Sequence, residues 1–107
     1  MTILEIILKT LDEKKANDIV TVDFRDENPM YGHFVVADAQ SARQVKAMAE
    51  DVVDALEKEG HSIKHLDLQR ESPWVLIDAY DVVVHIFMTE ERSRYNLEKL
   101  YADYIAW

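Results

Sequence analysis

Apolar residues recur every three or four positions at the start of the chain, which predicts an amphipathic helix over about residues 3–14. Its apolar positions are Leu4, Ile7, Leu8 and Leu11. Thr2 and Glu5 stand three residues apart just before this pattern, the spacing of a capping box at a helix start. The chain therefore opens with a helix that buries one face.

The same spacing returns for three turns in the middle of the chain and predicts a second, longer helix. Its apolar positions are Val45, Met48, Ala49, Val52, Val53 and Leu56. Ser41 and Gln44 form a second capping-box pattern, and Gly60 stands where a glycine ends many helices.

Five shorter apolar segments predict β-strands. They cover about Ile19 to Phe24, His33 to Asp38, Ile63 to Leu68, Trp74 to Asp78 and Val82 to Met88. The second is apolar throughout its interior and is expected at the centre of the sheet. Ala79-Tyr80-Asp81 should join the last two strands as a hairpin. Thr89 is expected to cap a final helix, with Glu90 and Glu91 in its first turn.

The predicted order is α-β-β-α-β-β-β-α, an α/β (α+β) fold in which helices pack against a mixed five-stranded sheet. At 107 residues the chain is expected to form one domain, residues 1–107, around a single core. Only two glycines and two prolines interrupt it, which is typical of a compact domain without long loops.

Charge and composition narrow the possible functions. Twenty-one acidic residues against 12 basic ones give a net charge of −9, which disfavours free DNA or RNA as a ligand and favours a basic protein partner. An acidic surface that only maintains solubility is the simpler interpretation of the charge. There is no cysteine, no basic leader and no apolar run long enough to cross a membrane, so a cytoplasmic protein without membrane contact is expected.

Asp78, Asp81 and His85 interrupt the apolar residues of the last two strands. Carboxylate oxygens and imidazole nitrogens could together bind a divalent metal ion. However, His85 shares a strand face with Val83 and Phe87, and no further carboxylate lies at ligand spacing. We therefore expect no metal site. One of the aspartates should organise the hairpin turn, and His85 should be a hydrogen-bonded residue beside an edge or interface.

No residue pattern indicates catalysis. Without cysteine, and with Ser41 explained as a helix cap, the chain offers no evident nucleophile. The glycine-rich motifs that bind phosphates are also missing from the sequence, so no cofactor is expected.

Aromatic residues are concentrated in the last third of the chain. They are Trp74, Tyr80, Tyr95, Tyr101, Tyr104 and Trp107. Tryptophan, tyrosine and arginine are the usual anchors of protein interfaces. At least one of Tyr101 and Tyr104 should be a core or half-core residue of the last helix, whereas exposure of Trp74 or Tyr80 beside the hairpin would indicate a partner. Arg92, Tyr95 and Glu98 recur every three residues and should lie close together on the final helix.

In this region the sequence resembles the bacterial ribosomal silencing factor family, also called iojap-like. The motifs are Trp74-x-x-x-Asp78-x-x-Asp81-Val82-Val83-Val84-His85-Ile86-Phe87 and Glu91-Arg92-x-x-Tyr95-x-Leu97-Glu98-x-Leu100. Two upstream segments agree as well: Ala16-Asn17-Asp18-Ile19, and Phe34-Val35-Val36-Ala37 ahead of Ser41-x-Arg43-Gln44-Val45. The resemblance covers about residues 7–101.

The resemblance implies a protein that binds the large ribosomal subunit through its ribosomal protein fourteen and blocks joining of the small subunit. Translation then falls when nutrients are scarce. It also implies a fold similar to that of nucleotidyltransferases, no enzymatic activity, and a homodimer when unbound. A nucleotide-binding protein and an interaction module with another partner are the alternatives.

We expect the partner contact around the hairpin, at Trp74, Asp78, Ala79, Tyr80, His85, Arg92 and Tyr95. Trp74 and Tyr80 would be apolar anchors, and Asp78 or Asp81 would pair with a basic side chain. The chain departs from the family at Gly32, usually aspartate, at Ala39, usually glycine, at Tyr101, usually tryptophan, and at Tyr80, usually glycine. Tyr80 matters most, because a glycine there permits a positive φ that tyrosine resists.

Overall fold

A computed structural model describes residues 1–66 and 71–106. The helices are α1 (Ile3–Glu13), α2 (Ala42–Lys58), α3 (Thr89–Tyr95) and α4 (Leu97–Leu100), and Ala102–Tyr104 forms one 3₁₀ turn. The strands are β1 (Asn17–Asp23), β2 (His33–Ala39), β3 (His65–Leu66), β4 (Trp74–Ala79), β5 (Val82–Met88) and β6 (Ile105–Ala106). All five predicted strands and both long helices are therefore present. The predicted end of β3, residues 67–68, lies outside the described residues.

The strands form one mixed sheet in the order β3-β4-β5-β2-β1-β6. The β2 and β5 strands run parallel, and every other neighbouring pair is antiparallel. Strands β2 and β5 lie at the centre, as the apolar run of β2 predicts. The sixth strand was not predicted: Ile105 and Ala106 pair with Val22 and Thr21 and extend the sheet beyond β1.

Helices α1 and α2 cover one face of the sheet and enclose the core. Alternate residues of the strands face these two helices, including Val35, Ile77, Val84 and Ile86. Leu11 of α1 and Val45, Val52 and Leu56 of α2 meet these residues and are fully buried. Because successive strand side chains alternate between the two faces, the remaining strand residues point to the opposite face, which α1 and α2 do not cover.

The observed helix ends confirm the predicted capping patterns in part. Thr2 and Glu5 form the full capping box at the start of α1. At α2, Ser41 Oγ accepts from the Gln44 N–H, but the Gln44 side chain accepts from the Gln40 N–H instead of completing the box. Gly60 follows α2 with a φ of +84°, the left-handed conformation predicted for it.

The C-terminal helix differs most from prediction. Asn96 adopts a left-handed conformation, with φ of 45°, and divides the helix into α3 and α4. Thr89 is the first residue of α3 and not its cap, which is Met88, and its hydroxyl donates to Asp38 Oδ1 at 2.8 Å. No helix in the described parts of the chain is long and apolar enough to cross a membrane.

Candidate interaction surface

The sheet face opposite α1 and α2 carries most of the aromatic side chains. Alternation along β4 places Trp74, Leu76 and Asp78 on this face, and His85 and Phe87 of β5 lie beside them. The C-terminal segment covers part of the face. It leaves Trp74 and Leu76 half-buried, and Tyr95 of α3 is 45% exposed. We call Trp74, Leu76 and Tyr95 the aromatic patch.

The rings of the patch are held by stacking. The Trp74 and Phe87 ring centroids lie 5.1 Å apart in a stacked arrangement, and Tyr95 lies 4.7 Å from Trp74. Phe87 is fully buried and also stacks with Tyr95 at 5.6 Å. Because such aromatic contacts restrict ring motion and are favourable in themselves, Trp74 and Tyr95 present a preorganised apolar surface.

His85 lies beneath the patch and is 5% exposed. Its Nδ1 accepts a hydrogen bond from the indole Nε1 of Trp74 at 3.3 Å, while its Nε2 is buried without a hydrogen-bond partner in the described residues. Burial lowers the pKa of His85 to about 4, because the charged imidazolium would lose its hydration. The predicted hydrogen bond is present. His85 was expected beside an edge or an interface: the edge is wrong because β5 is a central strand, and the interface stays a prediction.

A second aromatic cluster fixes the end of the chain. Phe24 makes edge contacts with Phe34 and Tyr101 at 4.9 and 5.4 Å, and Tyr104 lies 5.6 Å from Phe24. The Arg25 guanidinium lies 5.1 Å from the Tyr104 ring centre. Tyr101 and Tyr104 are both half-buried, which confirms the half-core position predicted for at least one of them, although Tyr101 follows α4 and Tyr104 lies in the 3₁₀ turn.

Arg92 joins the C-terminal segment to the sheet. Its guanidinium contacts Asp38 Oδ2 at 2.8 Å, Glu98 Oε1 at 2.6 Å and the carbonyl oxygen of Asn17 at 3.1 Å. Thr89 donates to the other Asp38 oxygen. The side chains of Arg92 and Asp38 are 12% and 3% exposed, so Arg92 is largely occupied within the protein. Arg92 and Glu98 do meet, as predicted, but across the break at Asn96, whereas Tyr95 turns towards Trp74.

Asp78 organises the hairpin turn, the role that the sequence predicts for either Asp78 or Asp81. Its Oδ1 accepts from the backbone N–H of Tyr80 at 3.0 Å, and its Oδ2 accepts from the Tyr31 hydroxyl at 3.3 Å. Tyr80 adopts a φ of +69° despite its side chain, and the Asp81 N–H donates to the Ala79 carbonyl across it. The hairpin therefore keeps the positive φ that a glycine would favour.

The predicted contact residues do not form a single cluster. Trp74 and Tyr80 stand at opposite ends of β4, about 20 Å apart by strand geometry. Trp74 and Tyr95 belong to the aromatic patch, and Tyr80 is exposed at the hairpin. Ala79 is fully buried on the helix-covered face, so its side chain faces away from both.

Sequence reasoning missed three residues near these positions: Met30, Tyr31 and Leu76. Leu76 follows from the alternation of β4, because it shares its face with Trp74 and Asp78. Nothing in the sequence places Met30 and Tyr31 beside the hairpin. That proximity depends on the parallel pairing of β2 with β5, which brings His33 opposite Val82.

The described residues contain no group of three or more histidine, aspartate or glutamate side chains close enough to hold a metal ion. Asp78 and His85 lie on the same face but serve different partners, Tyr31 and Trp74.

These features define a small α+β protein with helices on one sheet face and an open aromatic patch on the other. The family described as "Ribosomal silencing factor during starvation" matches residues 2–106. The chain therefore belongs to the ribosomal silencing factor family, which confirms the resemblance seen in its motifs.

Individual relatives agree with this assignment. The ribosomal silencing factor of Bacillus subtilis is 38% identical over 102 residues, 95% of this chain and 86% of the relative. The chloroplastic protein Iojap of Zea mays is 34% identical over 97 residues, 91% of this chain and 42% of the relative. A crystal structure of a protein from Chromobacterium violaceum superposes with a TM-score of 0.86 and 34% identity, over 95% of this chain and 88% of that one.

Proposed function

We propose that this protein binds the large ribosomal subunit through ribosomal protein fourteen and prevents the small subunit from joining. Translation would then decrease when nutrients are limited, and the protein would act in the cytoplasm. Its family membership supports the ribosomal role. The aromatic patch is the observation that supports a protein partner, because Trp74 and Tyr95 are large, preorganised and partly exposed.

Charge supports a basic partner. The net charge of −9 would attract the positively charged surface of a ribosomal protein and would repel exposed ribosomal RNA. Attraction at long range accelerates association, and the apolar patch then supplies most of the affinity. We therefore expect salt to weaken binding by slowing association more than by accelerating dissociation.

Inhibition in this proposal is steric and involves no chemical step. A domain with a radius of gyration of 12.7 Å is large enough to occupy part of the surface where two ribosomal subunits meet. Near the patch, His85 Nδ1 accepts from Trp74, and the Asp78 carboxylate accepts from Tyr31 and Tyr80, so these groups have structural roles. Binding alone is therefore sufficient for the proposed activity.

Sucrose-gradient co-sedimentation with separated subunits tests this function. The protein should travel with the large subunit and not with the small one, and fewer joined ribosomes should form when the small subunit is added to the complex. Binding should also be reproduced with isolated ribosomal protein fourteen. If the protein sediments with neither subunit at moderate salt, the proposed function is wrong.

We also propose that the unbound protein forms a homodimer, because an exposed aromatic patch is unfavourable in water. Light scattering coupled to size-exclusion chromatography should give twice the mass of 12.5 kDa at micromolar concentration. A constant mass of one chain over that concentration range would contradict the dimer without affecting the ribosomal proposal.

A further inference from the structure

A second feature of the surface lies at the tip of the β4–β5 hairpin, at the opposite end of β4 from Trp74. Five residues line an open surface depression of about 380 Å³ there: Met30, Tyr31, Lys64, Tyr80 and Asp81. We call it the hairpin cavity. Met30 and Tyr80 are among the most exposed large apolar residues described, at 66% and 53%. Apolar side chains from two separate loops are thus gathered at one exposed site.

Tyr80 occupies an unfavourable backbone conformation at this cavity. Its φ of +69° is a region that L-residues other than asparagine and aspartate rarely adopt. The Ala79 carbonyl accepts from the Asp81 N–H at 3.0 Å across Tyr80, which is the hydrogen bond of a strained three-residue turn. Burial of the ring does not offset this strain, because more than half of the side chain is exposed. Strained residues that persist in this way are concentrated at functional sites.

Hydrogen bonds fix the Tyr31 hydroxyl and the hairpin backbone around the cavity. Asp78 is 8% exposed, and its carboxylate binds both the Tyr31 hydroxyl and the Tyr80 backbone N–H. Gly32 allows the hairpin to approach closely, since a Cβ there would lie 2.7 Å from Asp81 Oδ2. The backbone N–H groups of Gly32 and His33 both donate to the Asp81 carbonyl. The Tyr31 hydroxyl and the backbone of Tyr80 are therefore held in place before any partner arrives.

The charges around the cavity favour a cationic occupant. Asp81 lines it with an exposed carboxylate, and Asp78 lies directly behind Tyr31. Lys64 also lines the cavity and balances Asp81, so the negative charge in excess comes from the Asp78 carboxylate behind Tyr31. Tyrosine rings beside a carboxylate attract lysine and arginine side chains, whose alkyl portions pack on the rings while the charged end pairs with the acid.

We propose that the hairpin cavity receives a lysine or arginine side chain of the basic protein partner, and that Tyr80 is kept in a strained conformation for this contact. The inference rests on the proposed function and adds a second contact, about 20 Å from Trp74 along β4. Tyr80 consequently lowers folding stability while it raises affinity.

The variant Tyr80→Gly tests this combination, because glycine accepts the positive φ and removes the ring. Its Tm should rise by about 2–5 °C, and its affinity for purified large subunits should fall about fivefold to tenfold. Tyr80→Phe keeps the ring and the strain, so its Tm and affinity should both stay close to those of the wild type. Circular dichroism gives the Tm, and fluorescence titration with large subunits gives the affinity.

The charge is tested by Asp81→Asn with Asp54→Asn as the matched control. Both variants remove one negative charge, but Asp54 is exposed on α2, on the other side of the sheet. Asp81→Asn should weaken binding severalfold at low salt and reduce its salt dependence, and Asp54→Asn should bind like the wild type.

The outcomes separate the inference from the proposed function. If wild type binds large subunits and Tyr80→Gly binds equally well, the cavity contact is wrong while the ribosomal function stands. A lower Tm for Tyr80→Gly would show that the ring supports folding and would also overturn the inference. If the wild type does not bind at all, the proposed function fails and the inference fails with it.

Discussion

The indole Nε1 of Trp74 donates to Nδ1 of His85 across 3.3 Å, between the first residue of β4 and the middle of β5. Because Nδ1 is the acceptor, the imidazole is neutral and carries its proton on Nε2. A buried neutral histidine thus orients the ring that we propose as the main anchor for the partner. Protonation of His85 would remove this acceptor and place a charge beneath the aromatic patch.

The first prediction concerns acid stability. The pKa of His85 is about 4 when folded and 6.5 when unfolded, so the unfolded chain binds more protons between these values. The stabilising contribution of neutral His85 is complete above pH 6.5 and is lost as pH falls towards 4, which lowers the free energy of unfolding by about 3 kcal/mol. Urea unfolding measured at half-unit pH steps gives this dependence.

His85→Phe is the control, because phenylalanine does not titrate and fits among Trp74, Phe34 and Phe87. Carboxylates titrate in both proteins, so the difference between the two pH profiles isolates His85. The difference should change by about 3 kcal/mol between pH 7 and pH 4. Parallel profiles would contradict the burial of a neutral histidine.

The second prediction separates binding from folding on the aromatic patch. Tyr95→Ala removes a ring that is 45% exposed, packs against Trp74 and stacks on Phe87, so stability should fall by only about 1 kcal/mol. Affinity for the large subunit should fall by about 2 kcal/mol or more if the ring is a central anchor. Tyr104→Ala is the matched control, since Tyr104 packs on Phe24 away from the patch, and it should lose stability but not affinity. Equal affinities for the two variants would exclude Tyr95 from the contact.

The third prediction concerns the ion pairs beneath the C-terminal segment. Arg92→Met leaves Asp38 buried without its cation, so the protein should lose about 3 kcal/mol of stability in urea unfolding. Adding Asp38→Asn should restore much of this loss, because the uncompensated charge is removed. If Arg92→Met alone is as stable as the wild type, the ion pair between Arg92 and Asp38 contributes nothing to folding stability.

The fourth prediction tests the close approach of Gly32 to the hairpin. A Cβ at position 32 would meet Asp81 Oδ2 at 2.7 Å, but this carboxylate is exposed and can rotate away. Gly32→Ala should therefore destabilise the wild type by only about 0.5–1 kcal/mol, and by nearly nothing in an Asp81→Ala background. If Gly32→Ala lowers the free energy of unfolding by the same amount in the Asp81→Ala background, the steric clash is with the backbone and not with the Asp81 side chain.

The periodicity of apolar residues was sufficient to predict most of the fold, because the long helices and central strands are stabilised by burying residues at regular spacing. The α2 pattern from Val45 to Leu56 and the apolar interior of β2 illustrate this. Strand β1 begins two residues earlier than predicted, at Asn17, which pairs with Asp38 ahead of a register shift where Asp18 has a φ of 45°. Such irregularities depend on pairing with β2 and leave no periodic signal.

The end of the chain depends on tertiary contacts that local patterns do not encode. Thr89 looks like a helix cap, but α3 begins at Thr89 itself, and its hydroxyl donates to the buried carboxylate of Asp38. Asn96 continues a helical pattern in sequence, yet its left-handed conformation turns Glu98 back towards Arg92. The candidate surface was similarly predicted only in part: Trp74, Tyr80 and Tyr95 are partly or largely exposed, whereas Ala79 and His85 are buried.

Subunit joining followed by light scattering tests the central claim most directly. Large subunits would be preincubated with wild-type protein or with Tyr95→Ala, and small subunits would then be added at a fixed magnesium concentration. The wild type should reduce the amplitude of joining in proportion to its occupancy of large subunits, and Tyr95→Ala should require about thirtyfold more protein for the same effect. Joining that proceeds at full amplitude with saturating wild-type protein would contradict the proposed mechanism.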